Sequence, residues 1–285
     1  MNRAEPLVTE AYPEISLVVA ALQARDWLLR LCDDYRPLAS LGIELIVVDG
    51  ASNDGSDEVV RGREGVTWHS EPDSGVADAW NKALRLATGH WIVFAGADDR
   101  LGPPDSWCRT IKTLRAIPPG VSLVSFAVDV VSPAGKQLQR VFPRPGRNLD
   151  RLKSVNSVPH QGLFARREAF ERVGMFDTAF RIASDYEWTL RATVAGEPFE
   201  VVDGASPLKM TFGGISTHDP LETALELRRA QAKLGVRGLR LAWWSALARA
   251  RLRTVLVHIL GRTATGRLAD LGRRMRGLQP VWSIR

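Results

Sequence analysis

The sequence predicts an α/β fold with a mostly parallel central sheet flanked by helices, a small antiparallel element and a helical C-terminal extension. Three observations carry this. Up to Asp99, short continuous apolar runs alternate with helix-periodic stretches, the pattern of right-handed crossovers between buried parallel strands. Past Asp99, two strand-like runs flank Pro133-Ala134-Gly135, a hairpin signature. From about residue 219 the chain reads as helix, and its charge changes sign.

The runs ISLVVA (15–20) and IELIVVD (43–49) are rich in β-branched residues and read as buried strands, with a helical stretch over 22–38 between them. VTWHS (66–70) is a third strand and HWIVFA (90–95) a fourth. Between these two lies the clearest helix: Val76, Ala79, Trp80, Ala83, Leu84 and Ala87 share one face, and Thr88-Gly89 supplies the stop. Asn81 and Lys82 fall on its polar side and read as solvated. A helix over 104–116 ends at Pro118-Pro119, and VSLVSFAVDVV (121–131) and KQLQRVF (136–142) form the hairpin. A helix over 184–195 and a strand near 199–202 follow. The pattern divides at about 220, into an α/β unit over 1–220 and a basic helical extension over 221–285.

At 285 residues, 45% hydrophobic and 25% charged, the chain has the composition of an ordinary globular protein with a sizeable core. Its net charge of +6 hides an asymmetry: residues 221–285 hold 14 Lys+Arg against 3 Asp+Glu, leaving 24 against 29 for residues 1–220. The body is acidic and the tail strongly basic, so the two ends are expected to meet different partners. Cys32 and Cys108 are the only cysteines and have no CxxC neighbour, which argues against a disulfide framework or a zinc site and fits a reducing cytoplasm. The N-terminal residues lack the apolar core of a signal peptide. The stretch LAWWSALARARLRTVLVHIL (241–260) contains three arginines and a histidine, against a simple membrane span.

Open parallel sheets bind ligands outside the carboxyl ends of their strands. Three of the strands end there in acidic or turn chemistry: VDGASNDGS (48–56), HSEPDSG (69–75) and GADD (96–99). Asp49 sits where its strand stops and is either a cap or a ligand contact; Asn53-Asp54-Gly55 is turn chemistry. Asp73 or Ser74 caps the following helix, and Asp78 suits its first turn. The adjacent Asp98 and Asp99 are harder to explain by local structure, because an apolar strand delivers two repelling carboxylates to the ligand edge. Hard oxygen ligands of this kind suit Mg²⁺ or Mn²⁺ shared with substrate phosphates. Such an ion stabilises a diphosphate as a leaving group. Farther on, Asp185 and Glu187 open a helix, where they either complement its dipole or, if folding brings Asp185 near the paired aspartates, supply a general base.

Taken together, VVDGASNDGS (47–56), SEPDSGVADAWNKALRLATGHWIVFAGADD (70–99) and PHQGLFARREAFERVGMFDTAFRIASDYEWTLR (159–191) resemble the family 2 glycosyltransferases, inverting enzymes of bacterial polysaccharide synthesis, in order and spacing over about the first 215 residues. The resemblance implies the GT-A fold, a Rossmann-like sheet, and a UDP- or GDP-sugar donor. It places Asp49 on the base or ribose, Glu71 and Asp73 along the nucleotide, and Asp98 and Asp99 as the DXD-type element, with Asp99 favoured as the direct metal ligand. Asp185 would deprotonate the acceptor hydroxyl, and His160 and Gln161 would line the donor-sugar or acceptor region. Lys82 would counter phosphate charge, and His218 would contact the diphosphate or the metal. Two departures stand out. The first strand ends in VVAALQARD (18–26), without the usual polar turn, so that base recognition falls to backbone groups; and the usual acidic pair of the second strand appears as Asp49-Gly50.

In the tail, Trp243, Trp244, Leu247, Leu252, Val255 and Leu256 interleave with Arg249, Arg251 and Arg253 at helical spacing. This suits either an interfacial helix on the inner face of the plasma membrane, which would serve a lipid-linked acceptor, or a helix packed on the catalytic domain or against a second copy in a homodimer. No nucleic-acid module is recognisable. Sugar transfer to a glycan or lipid-linked hydroxyl is the favoured function. The alternatives are metal-dependent nucleotidyl transfer, for which no glycine- and lysine-rich phosphate loop is present, and non-catalytic nucleotide-sugar binding or assembly.

Overall fold

The structure is a computed structural model and describes residues 13–213, 219–236, 240–275 and 280–282. Strands β1 (Ile15–Ala21), β2 (Ile43–Asp49), β3 (Val66–Ser70) and β4 (Trp91–Gly96) form a parallel half-sheet in the order β3-β2-β1-β4. Helices α1 (Arg25–Tyr35), α2 (Ser56–Val60) and α3 (Val76–Leu86) make the crossovers. The predicted strands and the strongly periodic helix lie where the sequence places them. The helix expected over 22–38 is shorter, because Pro37 tightens its continuation into a 3₁₀ turn over Arg36–Leu41.

Side-chain alternation along the strands feeds two cores. Ile15, Leu17 and Val19 of β1, with Ile43, Leu45 and Val47 of β2, pack under α1 and α4 (Pro104–Ala116). Val18, Ile46 and Val48 pack under α3, α5 (Arg167–Val173) and α6 (Ser184–Val194). The result is a helix–sheet–helix sandwich with both sheet faces covered, which is why these strands read as continuous apolar runs rather than alternating ones.

The second half of the sheet is mixed. β8 (Leu163–Arg166) runs antiparallel to β4 and to β6 (Leu123–Val131), β6 pairs with β7 (Gln137–Val141) as the expected hairpin, and β9 (Phe199–Thr211) runs parallel to β6. The two-residue β5 (Arg100–Leu101) closes the sheet against β9. β9 is far longer than the strand expected near 199–202. Asp203-Gly204 and Pro207 read as breakers, yet the ladder absorbs them: Gly204 adopts φ 109° where the β6–β9 register shifts, and the Pro207 carbonyl accepts the Gly102 amide at 2.7 Å. Helices α7 (Pro220–Lys233) and α8 (Arg240–Arg274) complete the chain; Ala230 joins the core beside α6, and Gly261 at φ 77° breaks α8 in two. Among the described residues no helix is long and apolar enough to cross a membrane.

Candidate active site

The parallel register brings one edge of the sheet level: Ala21 pairs with Asp49, Asp49 with Ser70, and Ala20 with Gly96. The three acidic strand ends picked out in the sequence therefore share one rim. β8 enters from the same side, since it runs antiparallel to β4, and this sets His160 and Gln161 beside the carboxyl end of β4.

Asp49 is 1% exposed and fully held. Its Oδ2 accepts the Ser52 amide and the Ser70 hydroxyl, both at 2.8 Å, and its Oδ1 accepts the Ser52 hydroxyl at 2.5 Å. Ser52 also accepts the Gln23 amide at 2.7 Å, and Asp54 accepts the Arg25 amide at 2.9 Å, so the loop after β1 is stitched to the loop after β2. Gln23 and Ala51 both sit at positive φ, 50° and 62°. Backbone strain of this kind persists only where the surroundings over-determine it, and it gathers at ligand sites. The missing polar turn after β1 is thus replaced by a braced pair of loops.

The Asp49-Gly50 departure has a steric reason. A Cβ at Gly50 would lie 2.7 Å from Asp73 Oδ2, so the glycine leaves room for the Asp73 carboxylate, whose other oxygen accepts the Gly75 amide at 2.9 Å. Lys82 is no solvated cation: its ammonium donates to the Pro72 carbonyl at 2.7 Å and lies 3.1 Å from Glu71 and 3.5 Å from Asp78. Hydrogen bonds from Lys82 and then from His69 hold the Glu71 carboxyl below its ordinary range. The charge of Lys82 is therefore spent locally, which leaves it poorly placed to counter a phosphate. Asn81, expected on the solvated face, is buried and grips Phe176 through its amide and carbonyl, both at 2.9 Å.

Asp98 and Asp99 are not equivalent. Asp99 is 3% exposed, and its carboxylate accepts three donors: the Gly96 amide at 2.8 Å, the Gln161 side chain at 3.1 Å and the Thr211 amide at 2.9 Å. Burial, and then the charge of Asp98, push its carboxyl up to about 7. Asp98 is half-buried; its backbone carbonyl accepts the Thr211 hydroxyl at 2.6 Å, but its carboxylate takes no hydrogen bond from another described residue. A Cβ at Gly96 would lie 2.7 Å from Asp98 Oδ1, so this glycine too makes room for a carboxylate. Asp99, the residue expected as direct metal ligand, is held by three donors and braces the turn with one lone pair left on Oδ1, while Asp98 has no donor from another described residue. Burial raises the Asp98 carboxyl as well, and among the described residues neither aspartate has a cationic partner within ion-pair distance.

A divalent ion fits this pair, because Mg²⁺ and Mn²⁺ take one or two protein carboxylates and complete their shell with water and substrate phosphate. The described residues contain no cluster of three acidic, histidine or cysteine side chains that could hold an ion alone. His218 lies outside the described residues.

Gln161 links the pair to the second polar cluster. The neighbouring His160 stacks between Trp80 and Phe94, with ring centroids 4.8 and 5.4 Å away, and both its nitrogens are buried without a hydrogen-bond partner. Its ring packs into an aromatic core, beside the region it was expected to line. Burial holds its imidazole below the usual range, and the nearby Asp185 carboxylate opposes that shift. Asp185 therefore lies near enough to His160 for its charge to act there. A testable consequence concerns His160 itself. The folded state keeps it neutral while the unfolded chain protonates near its ordinary value, so stability is lost as pH falls through about 6.5. Thermal melts of His160→Phe and the parent chain from about pH 7.5 to about 5.5 should show the parent losing ground to the variant.

Asp185 sits in the first turn of α6, half-buried, and among the described residues its Oδ1 accepts only the Tyr186 amide, at 2.7 Å. Glu187, its neighbour in sequence, points elsewhere and is consumed by ion pairs with Lys233 at 2.7 Å and Arg191 at 3.1 Å. Sequence reasoning missed the residue that fixes this turn. Glu226 of α7 is buried, and its carboxylate accepts the amides of Arg181, Ile182 and Ala183 at 2.9, 2.8 and 2.8 Å, the last three before α6 begins. A long-range contact of 43–45 residues leaves no local signal, although a lone glutamate on the apolar side of a helix is a hint. Glu226→Gln puts an N–H donor against a backbone amide at a cost of about 1–3 kcal/mol. Well below its melting temperature the variant should keep its donor KM while kcat falls about tenfold, through misplacement of α6. A parallel loss in KM would reduce Glu226 to a purely structural role.

The family model for glycosyl transferase family 2 matches residues 16–174. A glycosyltransferase of Mycobacterium tuberculosis is 32% identical over 193 residues, 66% of this chain and 72% of the relative. The succinoglycan biosynthesis protein ExoO of Rhizobium meliloti is 26% identical over 207 residues, 67% of this chain and 59% of that protein. Among solved structures, the mannosyltransferase PcManGT from Pyrobaculum calidifontis, in complex with GDP-Man and Mn²⁺, superposes with a TM-score of 0.57 at 22% identity, over 95% of this chain and 82% of that one.

Proposed function

The chain belongs to glycosyl transferase family 2 and is a glycosyltransferase; from this premise we propose that it moves a sugar from a UDP- or GDP-sugar to a hydroxyl of a glycan or lipid-linked acceptor, inverting the anomeric carbon. The family sets aside nucleotidyl transfer. The observation that carries the reading is the aspartate pair, one carboxylate buried and one half-buried, without a cationic partner among the described residues, at the rim where Asp49 also lies. The Pyrobaculum neighbour, solved with GDP-Man and Mn²⁺, supports a nucleotide-sugar donor and a divalent ion. The Rhizobium relative, named for succinoglycan biosynthesis, supports a role in bacterial surface polysaccharide synthesis.

A Mg²⁺ or Mn²⁺ ion held by Asp98, with Asp99 behind it, would bind diphosphate oxygens and stabilise their developing charge. Asp49, immobilised by Ser52 and Ser70, keeps one lone pair on Oδ1 for the ribose or base. Glu71 and Asp73 extend that rim along the nucleotide. Asp185 takes the proton from the acceptor hydroxyl as that oxygen forms its bond to the anomeric carbon, while the bond to the diphosphate breaks and its electron pair leaves with the phosphate. Attack from the face opposite the nucleotide inverts the configuration. Gln161 holds Asp99 and so keeps the turn in register with the 160–162 segment.

The experiment is a panel of UDP- and GDP-sugars with Mg²⁺ or Mn²⁺, read as nucleoside diphosphate release with and without lipid extract. Release from one donor class that rises on adding acceptor supports the proposal. Absence of release from every donor, in a protein shown to be folded, would reject it.

A further inference from the structure

We propose that the first half of α8 is a docking surface for an anionic phospholipid bilayer. The structure sorts the apolar residues of this helix into two faces. Leu247 and Ala250 are buried against the body, and Arg253 stacks on Trp282 with 3.7 Å between guanidinium and ring. On the far side, Trp244, Ala248, Leu252, Val255 and Ile259 follow one another at helical spacing, and all five are exposed, Leu252 by 58% and Ile259 by 69%. At about 100° per residue these positions form one ridge, with Arg251 along one flank and Arg249 along the other, both exposed. A solvated apolar ridge edged by cations is the pattern of a helix lying in the headgroup layer, its apolar crest sunk toward the acyl chains and tryptophan at the boundary.

Charge selects the occupant. Residues 240–275 carry eight arginines and one carboxylate, Asp270. Asp270 is buried, with Oδ1 accepting the amides of Val281 and Trp282. Two copies meeting along the ridge would set Arg249 and Arg251 of one against those of the other with no exposed acid on the helix to separate them. Nucleic acid would meet the arginines but leave the ridge of Leu252, Val255 and Ile259 without a role. An anionic bilayer satisfies both features.

The ridge is also tied mechanically to the rim of the aspartate pair. Trp282, beneath Arg253, packs edge-on against Phe212 at 5.0 Å. Phe212 follows Thr211, whose amide and hydroxyl hold Asp99 and Asp98. A bilayer under the ridge would therefore sit in a fixed relation to the site, as delivery of a lipid-linked acceptor requires.

The test uses the full chain and needs no donor, so it stands apart from the outcome of the transfer assay. Flotation with phosphatidylcholine vesicles, with and without phosphatidylglycerol, should show binding that depends on the anionic lipid and weakens with salt. Leu252→Ser with Ile259→Ser, and separately Arg249→Glu with Arg251→Glu, should each reduce the bound fraction about tenfold or more. All four positions are exposed, and an unchanged melting temperature verifies the fold. Failure to float with anionic vesicles, or flotation that survives both variants, overturns the proposal. A homodimer in solution that Leu252→Ser with Ile259→Ser dissociates, without vesicle binding by the parent chain, overturns it in favour of a self-interface.

Discussion

Replacing Asp98 by asparagine is expected to lower kcat/KM by about 10³-fold or more and to abolish the response of turnover to added Mg²⁺ or Mn²⁺. Asp98 is the member of the pair whose carboxylate has no donor from another described residue, so its lone pairs are the more open to a cation. The same substitution should leave the metal-free protein at least as stable as the parent. It removes a desolvated charge that adds to the burial by which its neighbour, Asp99, already resists ionisation. A large functional loss without a loss of stability separates a ligand from a brace. Asp99→Asn should behave otherwise: an amide cannot accept the Gly96, Gln161 and Thr211 donors together, so it should lower the melting temperature as well as the rate, at a cost of about 1–3 kcal/mol. If Asp98→Asn retained parental, metal-dependent turnover, the ion would have to lie elsewhere.

The pair also couples stability to pH and to metal. The Asp99 carboxyl stands at about 7 in the folded chain against an ordinary 3.8. Between those values the folded state holds a proton that the unfolded chain has released, so stability falls as pH rises through the window, by up to about 4 kcal/mol. A divalent ion offsets that penalty only where the carboxylates are ionised. Calorimetric melts should therefore show Mn²⁺ raising the melting temperature more at about pH 8 than at about pH 5.5. An equal rise at both would mean that the ion does not meet this pair.

Much of this arrangement was legible in the residues, and the remainder was hidden for identifiable reasons. The parallel half-sheet could be read because strands buried on both faces are apolar throughout, and its carboxyl rim followed from the crossovers. The relative roles of Asp98 and Asp99 could not be read, because adjacent carboxylates look alike until the fold supplies donors. Those donors come from Gln161, 62 residues on, and from Thr211 at the end of a strand that Gly204 and Pro207 disguise. Asn81 and Lys82 read as solvated because helical periodicity reports only the helix's own faces, whereas Phe176 and Glu71 arrive from other elements. The packing of His160 was hidden for the same reason, because Trp80 and Phe94, which take its ring into an aromatic core, lie 80 and 66 residues away. In the tail, periodicity placed Leu247 and Leu252 together on an apolar helix but could not separate the one that packs from the one that faces solvent.

Asp185→Asn should keep donor binding and lose transfer. Binding of a nucleotide sugar rests on Asp49, Asp73 and the aspartate pair, none of which bonds to Asp185, so the dissociation constant for the donor should stay within about twofold. Asparagine can still accept the Tyr186 amide that Asp185 accepts, so the start of α6 and the Glu226 clamp behind it should remain intact. What is lost is a group able to take a proton from the acceptor hydroxyl, a contribution of about 10²–10⁴ in kcat. The acceptor-independent hydrolysis of donor should fall less than transfer does, because water can shed its proton to bulk solvent. A variant that transfers sugar at the parental rate would remove Asp185 from the chemistry and leave its place to the architecture of α6.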